Sequence, residues 1–244
     1  MYMDGNELFG HFQQAMQQLG KSVHILDTMV PVERQMEYFK YSEYVRANSA
    51  KETVDRQIAA LQSGAGASFE QLRYALTYLA VSNDVRAYRA IEEFAKKIVD
   101  PRLEDWISLS LMQAKLAMNA EFTDERQVFV STGLGGRGCK FRFYSFFRSN
   151  GLKPFSDYQR KLIEKEFAYA IERAEGEIEE IRIEANYFYI LFLCEMTIDV
   201  RYVLQCAQDT CNEFGDFIDL NFTLTNVKMF DDSEIQLALH EPAH

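Results

Sequence analysis

The spacing of hydrophobic positions changes once along the chain, close to Phe122. Before this point apolar residues recur every three or four positions, which predicts amphipathic helices. After it, several segments alternate apolar and polar residues, which predicts strands. The pattern therefore predicts an α+β fold, with an all-helical domain at 1–120, an α+β domain at 121–240 and a short tail at 241–244.

The helical half carries capping signals that predict where its helices begin. Asp4, Ser68 and Asp100 are residue types that accept hydrogen bonds from the free amides of a first helical turn. Three helices with short turns are expected between Ser68 and Met118. Their succession is loosely similar to that of HEAT or TPR solenoid units, so we expect antiparallel helical hairpins that pack in a comparable way.

Strand and helix signals in the second half follow the order β-α-β-β-α-β. Strands are predicted at 139–148, 178–184, 187–196 and 217–227, with helices that begin after Ser156 and Thr197. This is the order of the ferredoxin-like split βαβ arrangement, which we therefore expect for this domain. An extra strand at 127–132 should pair with the first of these strands as a hairpin. In that fold the first strand already has two neighbours, so either the strand order differs or the hairpin strands splay apart.

The third predicted strand is apolar at nearly every position between Tyr187 and Cys194. Such a run indicates burial on both faces of the sheet. Both helices of a ferredoxin-like domain cover the same face, so a further element must cover the second one. The helical half is the first candidate for this cover, and a second copy of the chain is the next.

A glycine-rich loop precedes the first of these strands. Residues 126–153 contain six basic side chains and no acidic one, in a chain of net charge -11. Residues 133–138 match G-x-G-x-x-G, but a strand follows where a dinucleotide-binding fingerprint requires a helix. Two interpretations stay open: a hairpin loop whose glycines permit positive φ, or an anion-binding loop with backbone amides as donors. The candidate ligand-binding residues are Gly133, Gly135, Gly136, Arg137, Gly138, Lys140 and Arg142.

The strand after this loop has two chemically different faces. Phenylalanines occupy one face, and basic and aromatic residues alternate on the other, namely Lys140, Arg142, Tyr144, Phe146 and Arg148. On a ferredoxin-like sheet this combination resembles RNA-recognition modules. The two consensus strands of those modules are not matched. The alternative interpretation is one face in the core and one amphipathic face at an interface.

Charge and composition restrict the expected partners and location. The negative net charge, which is concentrated after Pro154, opposes general binding to nucleic acid or to an anionic membrane, so nucleic acid is not expected as a partner. No apolar run approaches the roughly 20 residues of a membrane-spanning helix. The four cysteines form no Cys-x-x-Cys pair, and nothing resembles a signal peptide. We therefore expect a cytoplasmic protein with reduced thiols.

No catalytic motif, metal-ligand spacing or cofactor signature is found in the sequence, so no catalytic residue, metal or cofactor is predicted. Tyr38, Tyr41 and Tyr44 recur every three residues, as on a part-buried helix face or a partner-binding surface. The preferred hypothesis is a non-enzymatic protein for ligand sensing or for association with a protein partner or its own copies. One alternative is a binder of a phosphate-bearing small molecule at 133–140. The second is an enzyme of unknown reaction.

Overall fold

The computed structural model describes residues 23–63, 66–97, 100–123, 128–130 and 132–240. The helix predicted after Asp4 and the tail at 241–244 lie outside these residues. The chain divides into two units, of which one spans residues 19–131 and the other includes residues 132–240. Helices combine with an antiparallel sheet, so the α+β class is confirmed. Within the described ranges, no helix is both long and apolar enough to cross a membrane.

The described part of the first unit consists of helices and one short strand pair. Its elements are β1 (Val23–Ile25), α1 (Val32–Asn48), α2 (Val54–Ser63), α3 (Phe69–Val81), α4 (Val85–Ala95), α5 (Glu104–Thr123) and β2 (Val128–Val130). Strand β2 pairs in parallel with β1. The expectation that the strand at 127–132 forms a hairpin with the strand at 139–148 is therefore wrong.

Local capping chemistry explains where several of these helices begin. At α3, the Gln71 amide donates to Ser68 Oγ at 3.3 Å, and the Ser68 amide donates to Gln71 Oε1 at 2.8 Å. This reciprocal pair is the predicted capping box. The Asp100 carboxylate accepts from the Arg102 amide at 3.0 Å and so begins the single turn that leads into α5. These starts depend only on residues two or three positions apart, which is why the sequence predicts them.

The second unit contains the main sheet. Its elements are β3 (Gly136–Arg137), β4 (Lys140–Ser149), α6 (Asp157–Arg173), β5 (Glu177–Ile183), β6 (Tyr187–Glu195), α7 (Val200–Asn212), β7 (Ile218–Thr225) and α8 (Asp232–His240). Ser156 caps α6 as predicted. Asp199 rather than Thr197 caps α7, because its carboxylate accepts from the Tyr202 amide at 3.0 Å. Helix α8 was not predicted, and its last residue is His240.

The sheet has the order β7-β4-β6-β5, and all of these neighbours are antiparallel. One edge of β4 pairs with β6 along residues 140–148. The other edge is shared, because β3 pairs with residues 140–141 and β7 with residues 144–149. The two-residue strand β3 occupies the part of this edge that β7 does not reach. Strand β4 therefore accommodates a hairpin partner without a change in the order of the four long strands.

Each face of the sheet is covered by helix. Phe147 lies on one face, where its ring centroid is 4.9 Å from that of Phe167 in α6. The opposite face carries Tyr144 and Phe146, which form a buried cluster with Ile235 and Leu239 of α8. All residues of β6 from Phe188 to Cys194 are buried, so the predicted burial on both faces is confirmed. Helix α8 supplies the cover that the sequence analysis had assigned to the helical half or to a second copy.

Candidate functional site

The glycine-rich loop folds as a tight turn followed by the β3–β4 hairpin. The Gly135 amide donates to the Thr132 carbonyl at 3.1 Å, and the Gly135 carbonyl accepts from the Arg142 amide at 2.9 Å. Gly135 has φ 66° and Gly138 has φ 63°, a region that favours glycine. The predicted need for positive φ is therefore confirmed at these two positions.

Gly133 has a different role, since it lets two backbone segments approach each other. A Cβ atom at Gly133 would lie 1.8 Å from the carbonyl oxygen of Val227. Next to it, the Leu134 amide donates to the Asn226 carbonyl at 3.0 Å, and the Leu134 side chain is buried. The loop is thus anchored to the segment that follows β7. The amides of Leu134 and Gly135 already have acceptors within the protein.

The exposed cations of the hairpin share one carboxylate on β5. Lys140 Nζ lies 2.7 Å from Glu177 Oε1, and Arg137 contacts the other oxygen of the same carboxylate. The hydrogen bond from Lys140, followed by that from Arg137, lowers the pKa of Glu177. The Arg137 side chain is 61% exposed and that of Lys140 is 23% exposed, so solvent reaches both. A phosphate that contacts them competes with this carboxylate.

Arg142 and Arg148 are held more firmly within the second unit. Arg142 is 8% exposed, its Nη2 lies 2.9 Å from Glu179 Oε1, and its Nη1 donates to the Leu134 carbonyl at 2.7 Å. Arg148 Nε donates to Asp219 Oδ2 at 2.8 Å, and its Nη1 donates to the Ala238 carbonyl of α8 at 3.3 Å. Arg142 therefore ties the loop to β5, and Arg148 ties α8 to the sheet.

Four aromatic side chains lie between these two arginines on the same face. Tyr144 and Tyr189 have ring centroids 5.4 Å apart, and Phe146 and Tyr187 are also 5.4 Å apart. The Phe230 ring lies 5.5 Å from both Tyr144 and Phe146. Burial is the main cause that raises the pKa of Tyr144 and Tyr189. The aromatic group is thus enclosed by α8 and by the residues just before it.

The structure brings the seven predicted site residues together at one end of this face. Whether they bind an anion stays a prediction. Sequence reasoning missed Glu177 and Glu179, the acidic partners of these basic residues. Glu179 belongs to the predicted strand at 178–184 and Glu177 directly precedes it, so their alternation was the available signal, since alternate residues of a strand share one face.

A separate cavity of about 450 Å³ lies in the helical unit. Apolar side chains of α2, α3 and α4 form most of its wall, including Leu61, Phe69 and Phe94. Its polar residues include Lys97 and Arg102. No predicted site residue lines it.

Neither a metal site nor a disulfide is found among the residues that the structure describes. No group of three or more His, Cys, Asp or Glu side chains is placed to hold a metal ion, as far as the described residues extend. All four cysteines are free thiols. Burial raises the pKa of Cys211 to about 12, which leaves this thiol protonated and unreactive at neutral pH.

No protein-family model and no curated protein matches this chain. Among solved structures, a putative transposase from Deinococcus radiodurans R1 is similar with a TM-score of 0.36 and 10% identity, over 41% of this chain and 88% of that one. A REP-associated tyrosine transposase bound to a REP hairpin is similar with a TM-score of 0.32 and 7% identity, over 39% of this chain and 61% of that one. At these identities a likeness concerns the fold alone.

These neighbours contradict two expectations from the sequence. One is described as a putative transposase and the other as a REP-associated tyrosine transposase bound to a REP hairpin, so the preferred hypothesis of a non-enzymatic association or ligand-sensing protein is corrected. The expectation that nucleic acid is not a partner is corrected for the same reason. That expectation was based on the net charge of the whole chain. Net charge does not describe how basic and aromatic side chains are placed on one face of a sheet.

Proposed function

We propose that residues 132–240 form a ferredoxin-like domain that binds single-stranded nucleic acid along the face of β4 and β6. The strand order β7-β4-β6-β5, with α6 and α7 as the connecting helices, supports the ferredoxin-like arrangement.

The observation that carries the function is the division of this face of the sheet into a basic part and an aromatic part. We call Arg137 and Lys140 the basic end. The aromatic end consists of Tyr144, Phe146, Tyr187 and Tyr189.

The two ends suit the two chemical parts of a nucleic acid. Lys and Arg side chains contact phosphates without regard to sequence. Aromatic rings stack on bases, and each such contact contributes about 1–3 kcal/mol in single-strand binding. Lys140 and Tyr144 lie on the same strand and on the same face, so one strand of nucleic acid can reach both ends.

Binding at the basic end is an exchange of one anion for another. Glu177 already pairs with both Arg137 and Lys140, so a phosphate competes with its carboxylate for these cations. Residues 132–240 contain 12 basic and 18 acidic side chains, a net charge of -6, which repels a polyanion at long range. We therefore expect weak binding that decreases steeply with salt. Removal of the Glu177 charge should strengthen it.

The first test changes the competing carboxylate. Glu177→Gln is compared with Glu175→Gln, which changes the net charge equally at an exposed residue just before β5. Affinity for a labelled single-stranded 20-mer is measured by fluorescence anisotropy at two salt concentrations. We expect Glu177→Gln to bind about tenfold more tightly than Glu175→Gln, a difference of about 1.4 kcal/mol.

The second test removes the cations. Arg137→Ala with Lys140→Ala should weaken binding and reduce the salt dependence, because each lost contact to a single strand lowers the slope of log affinity against log salt by about 0.7. Lys161→Ala is the control, since Lys161 is exposed on α6 at the opposite face of the sheet. The proposal is contradicted if the double variant binds like the control and Glu177→Gln binds like Glu175→Gln.

A further inference from the structure

We infer that residues 229–240, which comprise α8 and the segment before it, act as an internal competitor for nucleic acid at the aromatic end. This inference rests on the proposed function and names how the same site is regulated. In the described structure the two β4 rings of the aromatic end are covered, because Tyr144 is fully buried and Phe146 is 3% exposed. A base can stack on these rings only after the covering segment has moved.

The covering segment makes contacts of the kind that a nucleic acid would make. Its Phe230 ring lies 5.5 Å from both Tyr144 and Phe146, where a base would stack. Carboxylates follow the ring directly at Asp231 and Asp232, as phosphates would accompany a base. The segment therefore occupies the aromatic end with an aromatic ring and adjacent negative charge.

The cover also uses a basic residue of the face. Arg148 Nη1 donates to the Ala238 carbonyl oxygen of α8 at 3.3 Å. This carbonyl is a neutral acceptor, and a phosphate oxygen is a stronger partner for a guanidinium group. Displacement of α8 would thus exchange a weak contact of Arg148 for a charged one.

Helix α8 is short and depends on the sheet for its stability, so its release requires little besides loss of this docking. It has nine residues, fewer than the roughly 12–15 that an isolated helix requires, so its stability comes from docking. Ile235 and Leu239 supply its buried side chains, whereas Leu237 is 67% exposed. The Asp231 carboxylate accepts from the Glu234 amide at 2.9 Å, which keeps the first turn together independently of the sheet.

The chain before α8 provides a fixed point for this movement. The Asn226 carbonyl accepts from the Leu134 amide at 3.0 Å, and the close approach at Gly133 holds Val227 against the loop. Residues up to Val227 therefore stay with the sheet. The hinge lies between Val227 and Phe230, and the movement leaves the basic end intact.

The experiment compares two leucines of α8 that differ mainly in burial. Leu239→Asp places a charge against the sheet and releases the helix, while Leu237→Asp adds the same charge at an exposed position. Both are made in the full chain and titrated with the labelled 20-mer. We expect Leu239→Asp to bind at least tenfold more tightly than Leu237→Asp, although both variants carry an additional negative charge.

Two further variants keep the test decisive. Phe230→Ala removes the competing ring without adding a charge, and it should also strengthen binding if Leu239→Asp does not fold. Tyr187→Leu, introduced into Leu239→Asp, should abolish most of the gain because it removes a stacking ring. Equal binding by Leu239→Asp, Phe230→Ala and Leu237→Asp would overturn the internal competitor. If Glu177→Gln still strengthens binding in that case, the proposed function stands, and if it does not, both proposals fail.

Discussion

Each unit of this protein contains a cluster of aromatic rings with arginine, and the two clusters are built differently. In the helical unit, the guanidinium carbon of Arg73 lies 4.0 Å from the ring centroid of Trp106. The Trp106 Nε1 donates to Thr77 Oγ1 at 2.9 Å, and the Tyr38 hydroxyl donates to Gln113 Oε1 at 2.7 Å. Helices on several sides enclose these rings, and the indole and phenol groups have partners there. This cluster is a core.

The aromatic end of the sheet is instead covered by one short helix, α8, and a few neighbouring residues. Its rings rest on β4 and β6, and among the described residues of the second unit α8, Met229, Phe230 and Leu134 pack against them. The arginines at its borders, Arg142 and Arg148, pair with acids. Similar residue types thus form a core that helices enclose in one unit and, in our proposal, a binding face in the other.

The largest expected effect tests the core assignment. Trp106→Ala should lower the free energy of unfolding by roughly 3–5 kcal/mol, because it removes a large buried side chain. Urea unfolding followed by circular dichroism measures this change. Tyr44→Ala is the control, since Tyr44 is 60% exposed and its loss should change the free energy by less than about 0.5 kcal/mol. A small effect of Trp106→Ala would remove the distinction between the two clusters.

The second prediction concerns the anchor beside the site. Gly133→Ala should destabilise the protein by roughly 2–3 kcal/mol, since its Cβ would overlap the Val227 carbonyl and force the backbone apart. Gly66→Ala is the matched change in the helical unit, where nothing lies within 4 Å of the added carbon. Thermal unfolding of the two variants compares them. Equal melting temperatures would show that the loop is not fixed to Val227.

The third prediction concerns a feature that both units share. Ser68→Ala and Ser156→Ala each remove a reciprocal capping box, and each should cost about 1 kcal/mol. Urea unfolding of both variants measures this cost. Very unequal costs would indicate that the two units contribute to stability in different ways.

The smallest expected effect is a difference in thiol reactivity. Cys139 and Cys206 are exposed, whereas Cys194 and Cys211 are buried, and burial raises the pKa of both buried thiols. At pH 8 a thiol reagent should therefore modify two cysteines quickly and the other two only after unfolding. Rapid modification of all four would contradict the packing of α6 and α7 on the sheet.

Local signals in the sequence predicted much of the fold, and contacts between distant residues were not predicted. The capping boxes at Ser68 and Ser156 involve residues three positions apart. The pairing of Lys140 with Glu177 joins residues 37 positions apart, and no pattern along the chain specifies it. The same is true of β1 and β2, whose pairing joins opposite ends of the helical unit.

Helix α8 is the instructive exception, because a local signal for it was present. Asp231 and Glu234 are an acid at the cap and a glutamate three positions later, which is a helix-start signal. Hydrophobic residues at Ile235 and Leu239 then follow at helical spacing. The prediction ended at the last strand and so missed the element that covers the aromatic end.

The central claim is that nucleic acid binds the sheet face and displaces α8, and hydrogen–deuterium exchange of the full chain tests it most directly. Exchange is followed with and without saturating single-stranded 20-mer. The account predicts faster exchange at residues 232–240 and slower exchange at residues 136–142 when the oligonucleotide is bound. Unchanged exchange in both segments, or slower exchange confined to the helical unit, would contradict it.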